Sequence, residues 1–209
     1  MATKTDTKQK HSSSKTQGRS HEKSAFSWGD SSTNMLLGAA VAGAAVGLAA
    51  NVGRKMLVQG MSAASGDWAD ALMTEHKLTL AIFDKIEATD DSQTTMRSHL
   101  LAKLKYALSK HAIEEEMVIY PALRQANRME EADELTSEHG IVKTYLYELE
   151  TIDNDSPQWL ARVRDFRTMI EEHMEEEENE VFPALRAELS EEQNSMLTTM
   201  MNKEGFKFA

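Results

Sequence analysis

Two stretches of this chain repeat the same chemistry-bearing pattern. Residues 111–124 read His-Ala-Ile-Glu-Glu-Glu-Met-Val-Ile-Tyr-Pro-Ala-Leu-Arg, and residues 173–186 read His-Met-Glu-Glu-Glu-Glu-Asn-Glu-Val-Phe-Pro-Ala-Leu-Arg. In each, a His is followed four residues later by a Glu: His111 by Glu115, and His173 by Glu177. Residues four apart on an α-helix lie one above the other, so each pair can aim a nitrogen and an oxygen at one point. A further His precedes each stretch, His76 by 35 residues and His139 by 34, and each of these follows a Glu (Glu75, Glu138). The chain thus holds a doubled unit, His…His-x-x-x-Glu. Imidazole nitrogens and carboxylate oxygens in such a set suit iron, manganese or zinc. There are no cysteines, which excludes disulfides, thiolate nucleophiles and sulfur-ligated metal sites.

Helical periodicity supplies the elements that must carry these groups. The first helix, about 67–88, aligns Trp68, Leu72, His76, Leu80 and Phe83. The second, about 93–126, aligns Leu100, Leu104, Leu108, His111, Glu115 and Val118, with Asp90, Asp91 and Ser92 as its cap. The third, about 128–151, aligns Leu135, His139, Val142, Leu146 and Leu149, behind a capping box of Asn127 and Glu130. Ser156-Pro157 starts the fourth, about 157–187, which aligns Val163, Phe166, Ile170, His173, Glu177 and Val181. Pro121 and Pro183 lack an N–H and should kink the second and fourth helices near their ends. Ser190 and Gln193 can cap a short terminal helix bearing Met196, Leu197, Met200 and Met201.

Four long helices with short connections imply an all-α fold, an up-down-up-down four-helix bundle. The expected domains are a disordered polar tail (1–34), an Ala/Gly-rich apolar helix and linker (35–66), the bundle (67–188), and a short C-terminal helix and tail (189–209). In the bundle, each His falls within an apolar stripe. Burying an ionised carboxylate among apolar groups costs several kcal/mol unless it is compensated. One core His is commonly satisfied by hydrogen bonds; four His and two Glu are better explained by a pair of cations.

The residue pattern resembles the haemerythrin-like, or HHE cation-binding, domain family of di-iron four-helix bundles. The resemblance covers about 70–187 and rests mainly on the two His-x-x-x-Glu…Pro-Ala-Leu segments. It implies two non-haem irons, with manganese or zinc as substitutes. His76 and His111 would serve one metal and His139 and His173 the other. Glu115 and Glu177 would bridge them, with an oxo or hydroxo group between. One departure bears on function: oxygen-carrying members have a second His four residues after the third-helix ligand, where this chain has Lys143. Their last carboxylate is an Asp five residues after the final His, where this chain has Glu178, with Glu177 at four. Two His per metal leave positions open, which favours redox chemistry or exchangeable iron over reversible oxygen carriage.

The expected function is therefore to bind, sense or react with a small oxidant: dioxygen, peroxide or nitric oxide. Whether it turns over as an enzyme is left open. The competing readings are an iron reservoir or iron sensor without catalysis, and a membrane- or assembly-associated structural protein with incidental metal. Residues 35–50, an Ala/Gly-rich apolar run with Gly43-x-x-x-Gly47, bear on the last of these. The run reads as a helix packing on itself or a partner, a weak membrane-associating segment, or the core of an export signal. The location expected is cytoplasmic, with membrane association or export through this run as the alternative, and self-association through 35–60 stays open.

Net charge is +3 over residues 1–34 and −14 over the remainder. An acidic body argues against nucleic acid as a partner. Glu114, Glu116, Glu175, Glu176, Glu178 and Glu180 read as a solvated acidic face, or alternatively as partners of the imidazole N–H groups. Tyr120 and Phe182 read as core packing, with a hydrogen-bonding role for Tyr120 as the alternative. His99 falls off the ligand stripe, and His11 and His21 sit in the polar tail.

Overall fold

The computed structural model describes residues 66–208. The expected tail and the apolar run at 35–50 lie outside the described residues. Five helical rods follow one another, with no strand among the described residues. The first is α1 (Trp68–Glu87). The second joins α2 (Thr94–Glu114) through a π-turn, Glu115–Ile119, to α3 (Tyr120–Gln125). The third is α4 (Met129–Thr151). The fourth joins α5 (Pro157–Glu176) through a second π-turn, Glu177–Val181, to α6 (Phe182–Glu188). The fifth, α7 (Glu191–Phe208), is 18 residues long, more than its few apolar residues led us to expect. α1 packs against α2 and α5, and α4 packs against α5, while the contact between α2 and α4 is slight. α7 lies across α1, α2 and the first π-turn, where Trp68 Nε1 donates to Asn194 Oδ1 at 2.8 Å.

Local chemistry explains most boundaries. Ser156 caps α5 by accepting from the Gln158 N–H, with Pro157 in the first turn. Ser190 and Gln193 form the reciprocal capping box expected of α7. Two expected caps are replaced by other devices. Asn127 does not cap α4; it takes φ of 62° just past the end of α3. There the Arg128 N–H reaches Leu123 O and the Asn127 N–H reaches Arg124 O, the pair of bonds that closes a helix on a left-handed residue. Asp90 and Ser92 make a turn of their own, while Gln93 precedes α2 without a side-chain cap.

The two prolines act one turn earlier than a simple kink. A proline offers no N–H to the carbonyls of the preceding turn, and its ring crowds them. The backbone widens there: the Tyr120 N–H bonds Glu115 O, and the Phe182 N–H bonds Glu177 O. These are five-residue steps, in which an extra residue is absorbed into one turn. Pro121 and Pro183 then sit in the first turns of α3 and α6, where a missing N–H costs nothing.

Apolar packing lies on both sides of the polar level. One cluster, around Trp68, Leu72, Ile119, Leu123, Phe182 and Met201, fills the end covered by α7. The other, around Phe83, Leu104, Val163, Phe166 and Ile170, fills the opposite end. There the fully buried Arg97 donates to Thr89 Oγ1, Asn154 O and Asp91 Oδ1 and lies over the Trp159 ring, tying the α1–α2 turn to the α4–α5 turn.

Candidate metal centre

The structure brings all six expected donors together between the two apolar clusters. His76, His111, Glu115 and Glu177 form one group able to share a cation, and Glu115, His139 and His173 form another; all are buried. Glu115 belongs to both groups. Its Oε2 lies 3.2 Å from His111 Nε2 and 3.3 Å from His139 Nε2. Glu177 Oε2 lies 3.4 Å from both His76 Nε2 and His173 Nε2. Each carboxylate therefore stands between an imidazole of one half and an imidazole of the other.

A carboxylate also stands behind every imidazole. His76 Nδ1 meets Glu178 Oε1 at 2.8 Å, and His139 Nδ1 meets Glu116 Oε1 at 3.0 Å. His173 Nδ1 meets Glu138 Oε2 at 2.6 Å, and His111 Nδ1 meets Glu75 Oε2 at 3.3 Å. A carboxylate accepts only, so each Nδ1 donates outward and each Nε2 faces the centre, placed to give a lone pair to a cation or to hold a proton in its stead. Glu116 and Glu178 are thus partners of imidazoles across the internal repeat, not members of a solvated face. Glu114 departs from that face altogether, being fully buried beside Lys110, whereas Glu175 and Glu180 are exposed.

These donors fit a pair of cations on grounds internal to the structure. His76 Nε2 and His111 Nε2 face each other at 3.0 Å, and two lone pairs at that distance repel unless a cation or proton lies between them. Glu115 Oε1, Glu177 Oε2 and His173 Nε2 are buried without any hydrogen-bond partner. Buried polar atoms are nearly always satisfied, so three orphaned donor atoms at one level point to ligation. Electrostatics agree. Burial disfavours a charged His111, yet the Glu115 carboxylate raises it well above the ordinary imidazole range. Burial likewise opposes charge on His173, but Glu177 and then Glu138 lift it to about 9. Glu115, despite burial, is held well below the usual carboxylate range by His111 and His139. Positive charge is wanted here.

Tyr120 belongs to the site. Its hydroxyl lies 3.0 Å from His139 Nε2 and donates toward Glu177 Oε1 at 3.2 Å and Glu115 Oε2 at 3.5 Å. Burial, with Glu115 and Glu177 nearby, keeps the phenol protonated far above neutral pH. On a continuous α-helix a residue five after Glu115 would turn about 140° away from it. The wider π-turn returns it to the same face. Its counterpart in the second half is Phe182, which stacks on His76 with ring centroids 6.0 Å apart.

A cavity of about 40 Å³ reaches this level between α2, α4 and α5, on the side where the contact between α2 and α4 is slight. Leu108, Ala112, Val142, Leu146, Ile170 and Met174 wall it, and His111, His139 and His173 also line it. Lys143 borders it, mostly exposed, with its Nζ 3.1 Å from Glu116 Oε1. His99 is exposed, away from the centre.

Residues 68–185 match the family described as the hemerythrin HHE cation binding domain. The chain belongs to that family. Two relatives are similar over about three fifths of it. One, named a DNA nickase, from Nostoc sp., is 27% identical over 130 residues, 62% of this chain and 36% of that protein. The other, an uncharacterized hemerythrin-like protein of Schizosaccharomyces pombe, is 25% identical over 129 residues, 60% of this chain and 63% of that protein. The match thus spans less than two thirds of either relative. As an HHE domain the chain is a cation-binding bundle, and its buried His/Glu groups are where a cation can be held. No helix among the described residues is long and apolar enough to cross a membrane.

Proposed function

We propose that this haemerythrin-like domain holds two non-haem irons and binds, senses or reacts with a small oxidant: dioxygen, peroxide or nitric oxide. The observation that carries the reading is the cavity. With about 40 Å³ open to the centres of water-sized molecules, where about 10–15 Å³ suffices for one, it admits a small ligand, and three imidazoles stand among its mostly apolar walls. Irons held by His76, His111, Glu115, His139, His173 and Glu177 would supply redox and Lewis-acid chemistry for such a ligand. The chain's own part is to orient four imidazoles through their carboxylates, to exclude bulk water, and to offer the Tyr120 hydroxyl as a hydrogen-bond donor beside His139. That hydroxyl is the only neutral O–H donor among the contacts described at the centre, and it suits a ligand gaining negative charge.

Iron-loaded protein should show a visible charge-transfer band that changes when peroxide or dioxygen is added. Tyr120→Phe should keep both irons yet slow the response to peroxide by about ten- to a hundredfold, the scale of one lost donor to developing charge. Stopped-flow absorbance of the two proteins checks this. Spectra inert to dioxygen, peroxide and nitric oxide in both redox states would contradict the oxidant reading. They would favour the second one, an iron sensor, which the orphaned donors support because metal then relieves a cost built into the fold.

A further inference from the structure

The two halves of the centre are alike in their donors and unlike behind them. In the first half, Lys110 is buried (4% exposed), and its Nζ donates to Glu75 Oε1 at 2.5 Å and to Glu114 Oε1 at 2.7 Å. Glu75 carries the contact on to His111 Nδ1. The internal repeat places Glu138, Glu172 and Glu176 where the first half has Glu75, Lys110 and Glu114. All three are acids. Glu172 is exposed, Glu176 is half-buried, and Glu138 is 25% exposed. The carboxylate that orients His111 is therefore fixed by a buried ammonium, while the one that orients His173 stands at the edge of solvent among like charges.

We propose that Lys110 is a positioning residue that makes the two metal positions unequal. His76 and His111 form the position that fills first and empties last, and His139 and His173 form the exchangeable one. The inference rests on the two-cation reading of the centre given above. Its physical basis is preorganisation. A metal-binding imidazole held in place by an outer carboxylate binds tighter, and loss of such outer partners costs about 10- to 100-fold in affinity. The first half holds an outer carboxylate with a buried ammonium, whereas in the second the one behind His139, Glu116, meets only the exposed Lys143. The exchangeable position is also the one whose imidazoles both line the cavity, with the Tyr120 hydroxyl beside His139, so an incoming ligand would reach the looser side.

Anaerobic titration of the metal-free full-length chain with Co²⁺, followed by d–d absorbance and calorimetry, tests this. Two steps at least tenfold apart are expected. Lys110→Met should weaken the tight step by about 10- to 100-fold and spare the weak one. Because Lys110→Met leaves two buried carboxylates without their cation, it risks unfolding. Glu172→Lys supplies the complementary test at an exposed position: it gives Glu138 the cation it lacks and should tighten the weak step alone. A merely structural lysine would move neither step selectively. Two equal steps in the parent protein, or two steps that Glu172→Lys and a folded Lys110→Met leave unchanged, would overturn the proposal. No Co²⁺ uptake at all would instead overturn the two-cation centre on which it rests.

Discussion

Glu115→Ala is expected to strip the bundle of both metals, taking the bound complement from two ions to none. His76→Ala is expected to leave one. The difference follows from where the two side chains stand. Glu115 sends one oxygen to within 3.3 Å of imidazoles from both halves, and it alone appears in both groups of potential ligands. Removing it takes a ligand from each cation and a negative charge from between two positive ones. His76 faces His111 and Glu177, so its loss falls on one side. Glu115→Gln, which keeps the shape and removes the charge, separates ligation by an anion from mere packing. Metal-to-protein ratios after anaerobic reconstitution read all three variants. A full two-metal complement in Glu115→Ala would refute the bridging role.

The second large effect is on pH dependence, and its sign is opposite for metal-free and metal-loaded protein. In the metal-free chain, protons on His111 and His173 take the place of cations. His173, raised from 6.5 to about 9 by Glu177 and Glu138 against the pull of burial, contributes stability fully present below pH 6.5 and lost as pH rises through about 9. Glu114 acts in the same direction. Burial and then Glu75 push it up to about 8, so its contribution, complete below its ordinary value of 4.5, fades as pH rises through 8. The melting temperature of metal-free protein should therefore fall between pH 6.5 and 9. Metal binding must displace the imidazole protons, so apparent affinity should rise over the same window, by up to about tenfold per pH unit for each proton released. Melting curves with and without bound metal, together with calorimetry in buffers of different ionisation enthalpy, measure both. A metal-free melting temperature that climbs from pH 6.5 to 9, or binding that releases no protons, would contradict the electrostatic account.

What the sequence disclosed was what depends on regular helical geometry or on near neighbours. Four long helices and their inward stripes follow from a 3.6-residue period, and so does the facing of His111 with Glu115 and of His173 with Glu177. Ser156-Pro157 and the Ser190/Gln193 box act within one turn, and both formed. Tyr120 was undervalued because a proline-induced π-turn breaks that period and swings a residue expected in plain packing onto the donors. Phe182 made the same turn and met His76. Glu116 and Glu178 serve imidazoles on other rods, a pairing no local rule reveals, although the acidic residue after Glu115 and after Glu177 was a repeated signal. Glu114 and Lys110 look like ordinary surface charges until α1 and α2 come together and enclose them. Arg97 sits within one polar helical segment, and its partners come from two loops, one of them 57 residues away.

The central claim is that buried imidazoles and carboxylates share one level of this bundle because two cations belong among them. The most direct measurement is the metal content, by mass spectrometry with protein quantified by amino-acid analysis, of the chain purified from iron-replete cells and of the same chain reconstituted anaerobically with Fe²⁺. Two irons per chain, lost together in Glu115→Ala, is the predicted result. Folded protein that holds no metal after reconstitution would contradict it.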